Sequence, residues 1–125
     1  MEINGVTIQM LPAASGDCIY LEFPDSDFRM LIDGGYAKTY QKYLKKFLLN
    51  LAAEGKRLNL IVVTHIDNDH INGIKSLLQE NGNAKDPQII GIDEIWFNGL
   101  DQCIGARKSE QTMTFSLENI LESMS

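Results

Sequence analysis

The chain has 125 residues, of which 44% are hydrophobic and 22% are charged, which is typical of a globular protein and unlike a disordered segment. That length accommodates one buried core, so we predict a single domain over residues 1–125. The net charge of −6 and the pI near 4.8 argue against a broad basic surface for nucleic acid.

The first part of the sequence predicts strands. Apolar residues partly alternate over 3–10, which indicates a strand that closes at Pro12 because proline donates no ladder hydrogen bond. The segments 18–23 and 28–32, which are mostly apolar, flank the short polar turn Pro-Asp-Ser-Asp at 24–27. This composition favours an antiparallel hairpin.

The middle of the sequence predicts a helix followed by a buried strand. Aromatic residues and leucines recur at helical spacing over 36–51, and Gly55 is predicted to end this helix. The segment 58–63, which is apolar except for Asn59, is typical of a strand that is covered on both faces. Lys42, Lys45 and Lys46 lie mostly off the apolar stripe of the helix.

Further elements follow in the same alternation. Apolar residues over 71–78 predict a short helix, and residues 89–97 predict a strand whose Ile92, Ile95 and Trp96 are expected to pack beneath that helix. Residues 116–124 carry an apolar stripe that predicts a tail helix. The order of strands and helices indicates an α/β (α+β) fold, in which helices cover a sheet.

Neither the amino terminus nor the cysteines indicate export. The first residues lack a basic segment followed by an apolar one, and no run of about 18 apolar residues occurs. Cys18 and Cys103 belong to no metal-ligand spacing and are expected to be buried or free thiols. We therefore expect a cytoplasmic protein without a membrane partner.

Both histidines of the chain lie in a polar segment directly after the predicted strand 58–63. This segment contains four potential metal ligands within six residues, namely His65, Asp67, Asp69 and His70. Imidazole and carboxylate groups hold catalytic divalent ions and leave a position open for water. Since residues two apart in an extended loop project to the same side, His65 and Asp67 are predicted to share one ion. Asp69 and His70 then face a second ion.

Two ions about 3.5 to 4 Å apart would lower the pKa of a bridging water, and Asp69 is predicted to orient that water or accept its proton. The carboxylate of Asp67 is compatible with manganese or iron as well as zinc. The alternative is a polar loop whose histidines cap a helix. A calcium loop fits less well, because Ile71 and Leu78 stand where an oxygen ligand and a glutamate are needed.

The segment 64–70 resembles the His-x-His-x-Asp-His signature of the metallo-β-lactamase-fold hydrolases, with Asp67 in place of the second histidine. The form His-x-Asp-x-Asp-His-Ile-x-Gly resembles the competence-type hydrolase domain that accompanies bacterial DNA-uptake channel proteins. Three further segments agree in their order along the chain, namely 16–18, 31–35 and 94–98. The resemblance covers about residues 3–100.

This resemblance implies the amino-terminal half of a metallo-β-lactamase-like αββα sandwich, a mixed sheet with helical cover. It implies two divalent ions, expected to be Zn2+ with Mn2+ or Fe2+ as alternatives, held by the ligands His65, Asp67, Asp69 and His70. Asp33 is expected to steady the ligand loop from outside the ligand set, although residues 33–35 judged alone are equally compatible with a plain turn. In the family, further ligands come from the second half of the sandwich, and no histidine follows His70 in this chain.

The sequence thus predicts a metal-dependent hydrolase in which an ion-bound hydroxide attacks an ester-type bond. The bond is an ester, an amide or a phosphodiester, and the competence-type resemblance favours a nucleic-acid phosphodiester over a small-molecule substrate without settling the choice. The alternative is a truncated, non-catalytic metal-binding or interaction module that needs a carboxy-terminal half or an oligomeric partner. Lys42, Lys45 and Lys46 are most simply a solvated helix face, although lysines that border the site would meet phosphates. Uncovered apolar surface would indicate a missing half or partner.

Overall fold

A computed structural model describes residues 2–3, 5–13, 17–65, 67–83 and 85–97. Six strands form one sheet, in which the strand order follows the order of the chain. The strands are β1 (Glu2–Ile3), β2 (Val6–Met10), β3 (Ile19–Phe23), β4 (Phe28–Ile32), β5 (Leu58–Val63) and β6 (Ile92–Phe97). Strands β1 to β4 pair in antiparallel fashion, whereas β4, β5 and β6 pair in parallel. The predicted α/β class with a mixed sheet is confirmed.

Two helical crossovers join the parallel strands. The first comprises α1 (Ala37–Thr39), a π-helical turn (Tyr40–Leu44) and α2 (Lys45–Ala53), with right-handed helical backbone angles at both junctions. The second is α3 (Asn68–Asn81). Right-handed crossovers that advance in one direction along a sheet lie on the same face, and α1 and α3 do contact each other. Within the described ranges, no helix is both long and apolar enough to cross a bilayer.

Several predicted elements are confirmed and others are corrected. The hairpin of β3 and β4, the helix over 36–51 and the strand over 58–63 are present. The predicted strand over 3–10 is two strands joined at Gly5, whose φ of 80° reverses the chain. The strand predicted over 89–97 begins only at Ile92. The predicted tail helix lies outside the described residues, as does Cys103.

The core lies between the helices and one face of the sheet. Strand residues on this face are buried, and they pack with buried residues of both crossovers in one cluster: Tyr20, Leu31, Ile61, Ile95 and Phe97 with Leu44, Leu48, Ile74 and Leu77. The ring of Tyr20 meets that of Phe47 edge to face, with 4.8 Å between the centroids. Burial of these side chains, at about 1.5 to 3 kcal/mol each, is the main force that holds the helices on the sheet.

The outer face of the sheet, opposite the helices, also carries apolar side chains. The strand register places Leu21, Met30, Val62 and Trp96 there, because they alternate with the core residues. They are half-buried or exposed, with Trp96 at 40%, whereas Leu60 at the centre is 7% exposed. Of the three residues predicted to pack beneath the preceding helix, Ile92 and Ile95 are buried in the core cluster, whereas Trp96 lies on the other face of the sheet. The described helices cover one face of β5, but Leu58 and Leu60, which alternate with the core residue Ile61, are buried as well, as predicted for this strand.

The side chain of Asn81 joins the end of α3 to the segment that leads into β6. It is fully buried, and its Nδ2 donates to the carbonyl of Ile90 at 2.9 Å. Its Oδ1 accepts from the backbone N–H groups of Ile89 at 2.8 Å and Ile90 at 3.0 Å. Since residues 89–91 precede the strand, Asn81 supplies the partners that the sheet ladder does not.

We expect Asn81→Ala to lower the free energy of unfolding by about 2 to 4 kcal/mol, because it leaves buried backbone groups of Ile89 and Ile90 without partners. Asn83→Ala is the matched control. Asn83 is exposed and its side chain accepts one bond, from Lys85, so the loss should stay below about 1 kcal/mol. Urea unfolding followed by circular dichroism measures both, and equal losses would contradict the role of Asn81.

The loop over residues 33–35 lies directly against the first turns of α3, with glycine on each side of the contact. Gly34 N donates to the carbonyl of His70 at 3.0 Å, and Gly73 N donates to the carbonyl of Gly35 at 2.8 Å. A Cβ on Gly73 would lie 1.9 Å from the carbonyl oxygen of Gly34, and a Cβ on Gly34 would lie 2.7 Å from the backbone nitrogen of Ile74. Because the obstructing atoms belong to the backbone, no side-chain rotation relieves the contact.

We expect Gly73→Ala to destabilise the protein by about 2 kcal/mol or more, since the added methyl forces α3 away from the loop. Alanine favours an α-helix over glycine by about 1 kcal/mol, so the clash is opposed by helix propensity. Ser76→Ala on the same helix is the control and should change stability by about 0.5 kcal/mol or less. Thermal unfolding of both variants tests this, and a more stable Gly73→Ala variant would refute the close contact.

Candidate metal centre

The candidate site lies at the carboxyl ends of β4 and β5, where reactive groups collect in parallel sheets. These strands are neighbours, so the residues that follow them, Asp33 and Thr64, come together. The backbone N–H of Asp33 extends the pairing by donating to the carbonyl of Val62 at 2.8 Å. Asp33 therefore contacts the histidine segment directly, at Thr64 and His70.

Asp33 is a buried carboxylate with three hydrogen-bonding contacts. Only 1% of the residue is exposed. Its Oδ1 accepts from the backbone N–H of Thr64 at 2.8 Å, and its Oδ2 accepts from the Thr64 hydroxyl at 2.5 Å. The same Oδ2 lies 3.1 Å from Nδ1 of His70. Its φ of 60° is left-handed, a conformation that aspartate tolerates better than most residues. These contacts offset the free-energy cost of burying the charged carboxylate.

His70 lies in the first turn of α3, with its ring between two carboxylates. Nδ1 faces Asp33, and Nε2 lies 3.7 Å from Oδ1 of Asp69. Because a carboxylate only accepts, Nδ1 carries the proton and Nε2 presents its lone pair. Burial lowers the pKa of His70, but the hydrogen bond to Asp33 and the charges of Asp33, Asp69 and Asp17 outweigh it, so the pKa is raised. The same charges attract a cation.

His65 is connected to this arrangement through Thr64. Its Nδ1 lies 3.0 Å from Oγ1 of Thr64, and its ring centroid lies 4.9 Å from that of His70. Since the single hydroxyl proton of Thr64 is donated to Asp33, Oγ1 accepts from Nδ1–H of His65. Both imidazoles are thus oriented through Nδ1, directly or indirectly by Asp33, and in both the lone pair lies on Nε2.

Asp67 and Asp69 occupy the start of α3. Asp67 is the N-cap residue, and its carbonyl accepts from the N–H groups of His70 and Ile71, but its carboxylate makes no capping hydrogen bond. Asp69 lies in the first turn, where a helix favours negative charge. The helix predicted over 71–78 begins earlier, at Asn68, so Asp69 and His70 lie within its first turn. Oδ1 of Asp69 lies 3.7 Å from Nε2 of His70.

The donor set fits a divalent cation. One potential ligand atom from each of Asp17, Asp33 and His70 lies within 4.8 Å of the others, and Asp69 adds a carboxylate on the far side of the imidazole. Nitrogen and carboxylate oxygen are the donors that zinc, manganese and iron accept in proteins. Asp33 already has three contacts, so it serves better as a support for His70 than as a ligand.

Sequence reasoning missed two participants. The carboxylate of Asp17 lies 4.0 Å from Nδ1 of His70 and is half exposed, yet the segment 16–18 was noted only as a point of resemblance. The register of the predicted hairpin could have revealed Asp17. Ile19 pairs with Ile32, so Asp17, before β3, and Asp33, after β4, lie near the same edge of the sheet. Thr64 was considered only as part of the motif. Its hydroxyl donates to Asp33, which lies 31 positions away in the sequence, so the motif itself could not reveal this contact.

Comparison with known proteins gives two findings. Residues 11–110 match the model of the Metallo-beta-lactamase superfamily, a range that contains the whole ligand segment. The chain is also 32% identical over 101 residues to the hydroxyacylglutathione hydrolase of Chromohalobacter salexigens. That alignment covers 80% of this chain and 35% of the relative, so the chain spans about a third of that protein's length. This chain belongs to the metallo-β-lactamase superfamily.

Proposed function

We propose that this chain supplies one side of the metal centre of a hydrolase that cleaves an ester-type bond. The observation that carries the proposal is that one buried carboxylate, Asp33, orients both histidines. Asp33 contacts Nδ1 of His70 directly and reaches Nδ1 of His65 through Thr64, and Asp69 stands beside Nε2 of His70. Membership of the superfamily and the similarity to a named hydrolase support the same conclusion.

The roles of the residues follow from their donor atoms. In this proposal His65 and Asp67 hold one ion and Asp69 and His70 hold a second, with Zn2+ as the expected metal and Mn2+ or Fe2+ compatible with an oxygen-rich site. A bound divalent ion would polarise the scissile bond and lower the pKa of water. Asp69 orients the attacking water and accepts its proton. Asp33 holds the imidazole of His70 in position, as carboxylates do around metal sites.

We propose a small molecule as the substrate. The named relative acts, by its name, on hydroxyacylglutathione, which is a small molecule. The net charge of −6 opposes association with a polyanion. A nucleic-acid phosphodiester, suggested by the competence-type form of the ligand segment, is the alternative substrate.

The metal-site assignment predicts a loss of metal affinity in a double variant, His65→Ala with Asp69→Ala. Because one ligand of each ion is removed, Zn2+ affinity measured by calorimetry should fall about 100-fold or more, and Asp33→Asn should weaken it about 10- to 100-fold through misorientation of His70. Zinc-dependent hydrolysis of p-nitrophenyl acetate, or of bis-p-nitrophenyl phosphate for the alternative, should fall in parallel.

The control for these variants is Asp25→Asn. Asp25 is an exposed carboxylate in the turn Pro24–Ser26, at the opposite end of β3 from Asp17. The substitution Asp25→Asn removes one negative charge, as Asp33→Asn does, but lies away from the centre, so metal affinity should stay unchanged. Equal Zn2+ binding by the parent and the double variant would refute the ligand assignment.

A second role, as an interaction module, is favoured by the outer face of the sheet. Leu21, Met30, Val62 and Trp96 form an apolar surface there, and Met10 on the same side is 69% exposed. Contiguous apolar surface of this kind marks a site of association. In this role the outer face pairs with a further layer, supplied by a carboxy-terminal half or by another chain.

The module role predicts association through the outer face. We expect sedimentation velocity to show concentration-dependent self-association of the chain, and the double substitution Met10→Lys with Trp96→Lys to abolish it, because two charges would have to be desolvated in the contact. Lys46→Glu, on the exposed side of α2, is the control and should associate like the parent. A parent that stays monomeric at about 100 μM would contradict pairing of the outer face between two copies of this chain, for which we expect a dissociation constant below that concentration.

A further inference from the structure

We propose that a groove beside the metal centre binds the anionic part of a small-molecule substrate with an aromatic or apolar body. The groove encloses about 690 Å³ between α1 with its π-helical turn and α3. Small-molecule sites in proteins have volumes of about 300 to 1,000 Å³. The inference rests on the proposed hydrolase function, because it assigns a substrate class to the same centre.

Two lysines give the groove a local positive charge. Lys38 and Lys42 are four residues apart and therefore project from the same side of the helical segment. Within the described residues neither forms an ion pair, whereas Lys45 is 3.0 Å from Glu80, and Lys56 pairs with glutamates as well. In a chain with a net charge of −6, two neighbouring ammonium groups that have no acidic partner among the described residues favour an anion at this wall.

The rest of the wall is aromatic and polar. Tyr36 and Tyr43 line the groove and are 39% and 43% exposed, and Asn72 contributes an amide. A tyrosine ring offers apolar area together with a hydroxyl that hydrogen-bonds. A ligand that satisfies all of these groups has a carboxylate or phosphate for the lysines and an apolar body for the rings.

The groove adjoins the proposed reaction site. Asn72 follows Asp69 by three residues on α3, so both lie on one side of that helix, about 4.5 Å apart along its axis. Tyr36 directly follows the loop 33–35, whose Gly35 carbonyl is bonded to Gly73 at 2.8 Å. A ligand anchored on the lysines therefore extends along α3 toward the Asp69 carboxylate.

The size of the charged patch favours a small ligand over a nucleic acid. Binding of a polyanion depends on several Lys or Arg contacts along the backbone, and the groove offers Lys38 and Lys42. Lys45, the next cation along the helix, is paired with Glu80. Two cations suit one carboxylate or phosphate group.

Calorimetry with naphthyl phosphate tests the proposal directly. The protein is first treated with EDTA, so that binding in the groove is measured without any metal and is separated from the fate of the metal centre. Naphthyl phosphate should bind more tightly than inorganic phosphate, because the rings add apolar contact. In the double variant Lys38→Gln with Lys42→Gln, the affinity for naphthyl phosphate should fall about tenfold or more, since charge-assisted contacts are lost. The affinity for neutral naphthol should stay the same.

Lys46→Gln is the matched control. Lys46 is an exposed lysine in the same helical segment but does not line the groove, so its removal should leave the affinity unchanged. An unchanged Zn2+ affinity of the double variant shows that its fold and metal centre are intact. Absence of naphthyl phosphate binding, or an equal loss in Lys46→Gln, would overturn the proposal. Tighter, lysine-dependent binding of a thymidine oligonucleotide would overturn the small-molecule class in favour of nucleic acid.

Discussion

The candidate centre depends on the backbone contact between the loop 33–35 and the first turns of α3. Two hydrogen bonds and the absence of Cβ atoms at Gly34 and Gly73 bring the helix against the end of β4. Only at that separation does the His70 ring reach the Asp33 carboxylate at 3.1 Å. A displacement of about 1 Å would break that hydrogen bond, so these glycines act on the centre through the position of the helix.

Asp33 connects this backbone contact to the side chains of the candidate centre, because its carboxylate contacts both Thr64 and His70. Its buried carboxylate is charged at a cost that the two bonds from Thr64 and the contact with His70 offset. It also determines which nitrogen of each imidazole faces outward, since Thr64 transmits its orientation to His65. The left-handed backbone at Asp33, with φ of 60°, is the local cost of turning the carboxylate toward the histidines and not toward solvent.

Local patterns predicted the elements well, and long-range contacts explain the failures. The bounds of β5 could be predicted from the sequence, because a short, largely apolar segment has few alternatives to a buried strand. By contrast, the spacing of Ile92, Ile95 and Trp96 is compatible with both faces of a strand, and only pairing with Val62 places Trp96 outside. The ligand segment was visible from its spacing, but Asp17 was not, because its proximity to His70 depends on hairpin register. The pairing of Lys45 with Glu80 likewise joins two helices.

The groove and the outer face lie on opposite sides of the sheet, and this separation makes the two candidate roles compatible. The groove is formed by α1 and α3 on the helical side, whereas Trp96 and its neighbours face the other side. A second layer on the outer face would therefore leave the groove open to a ligand.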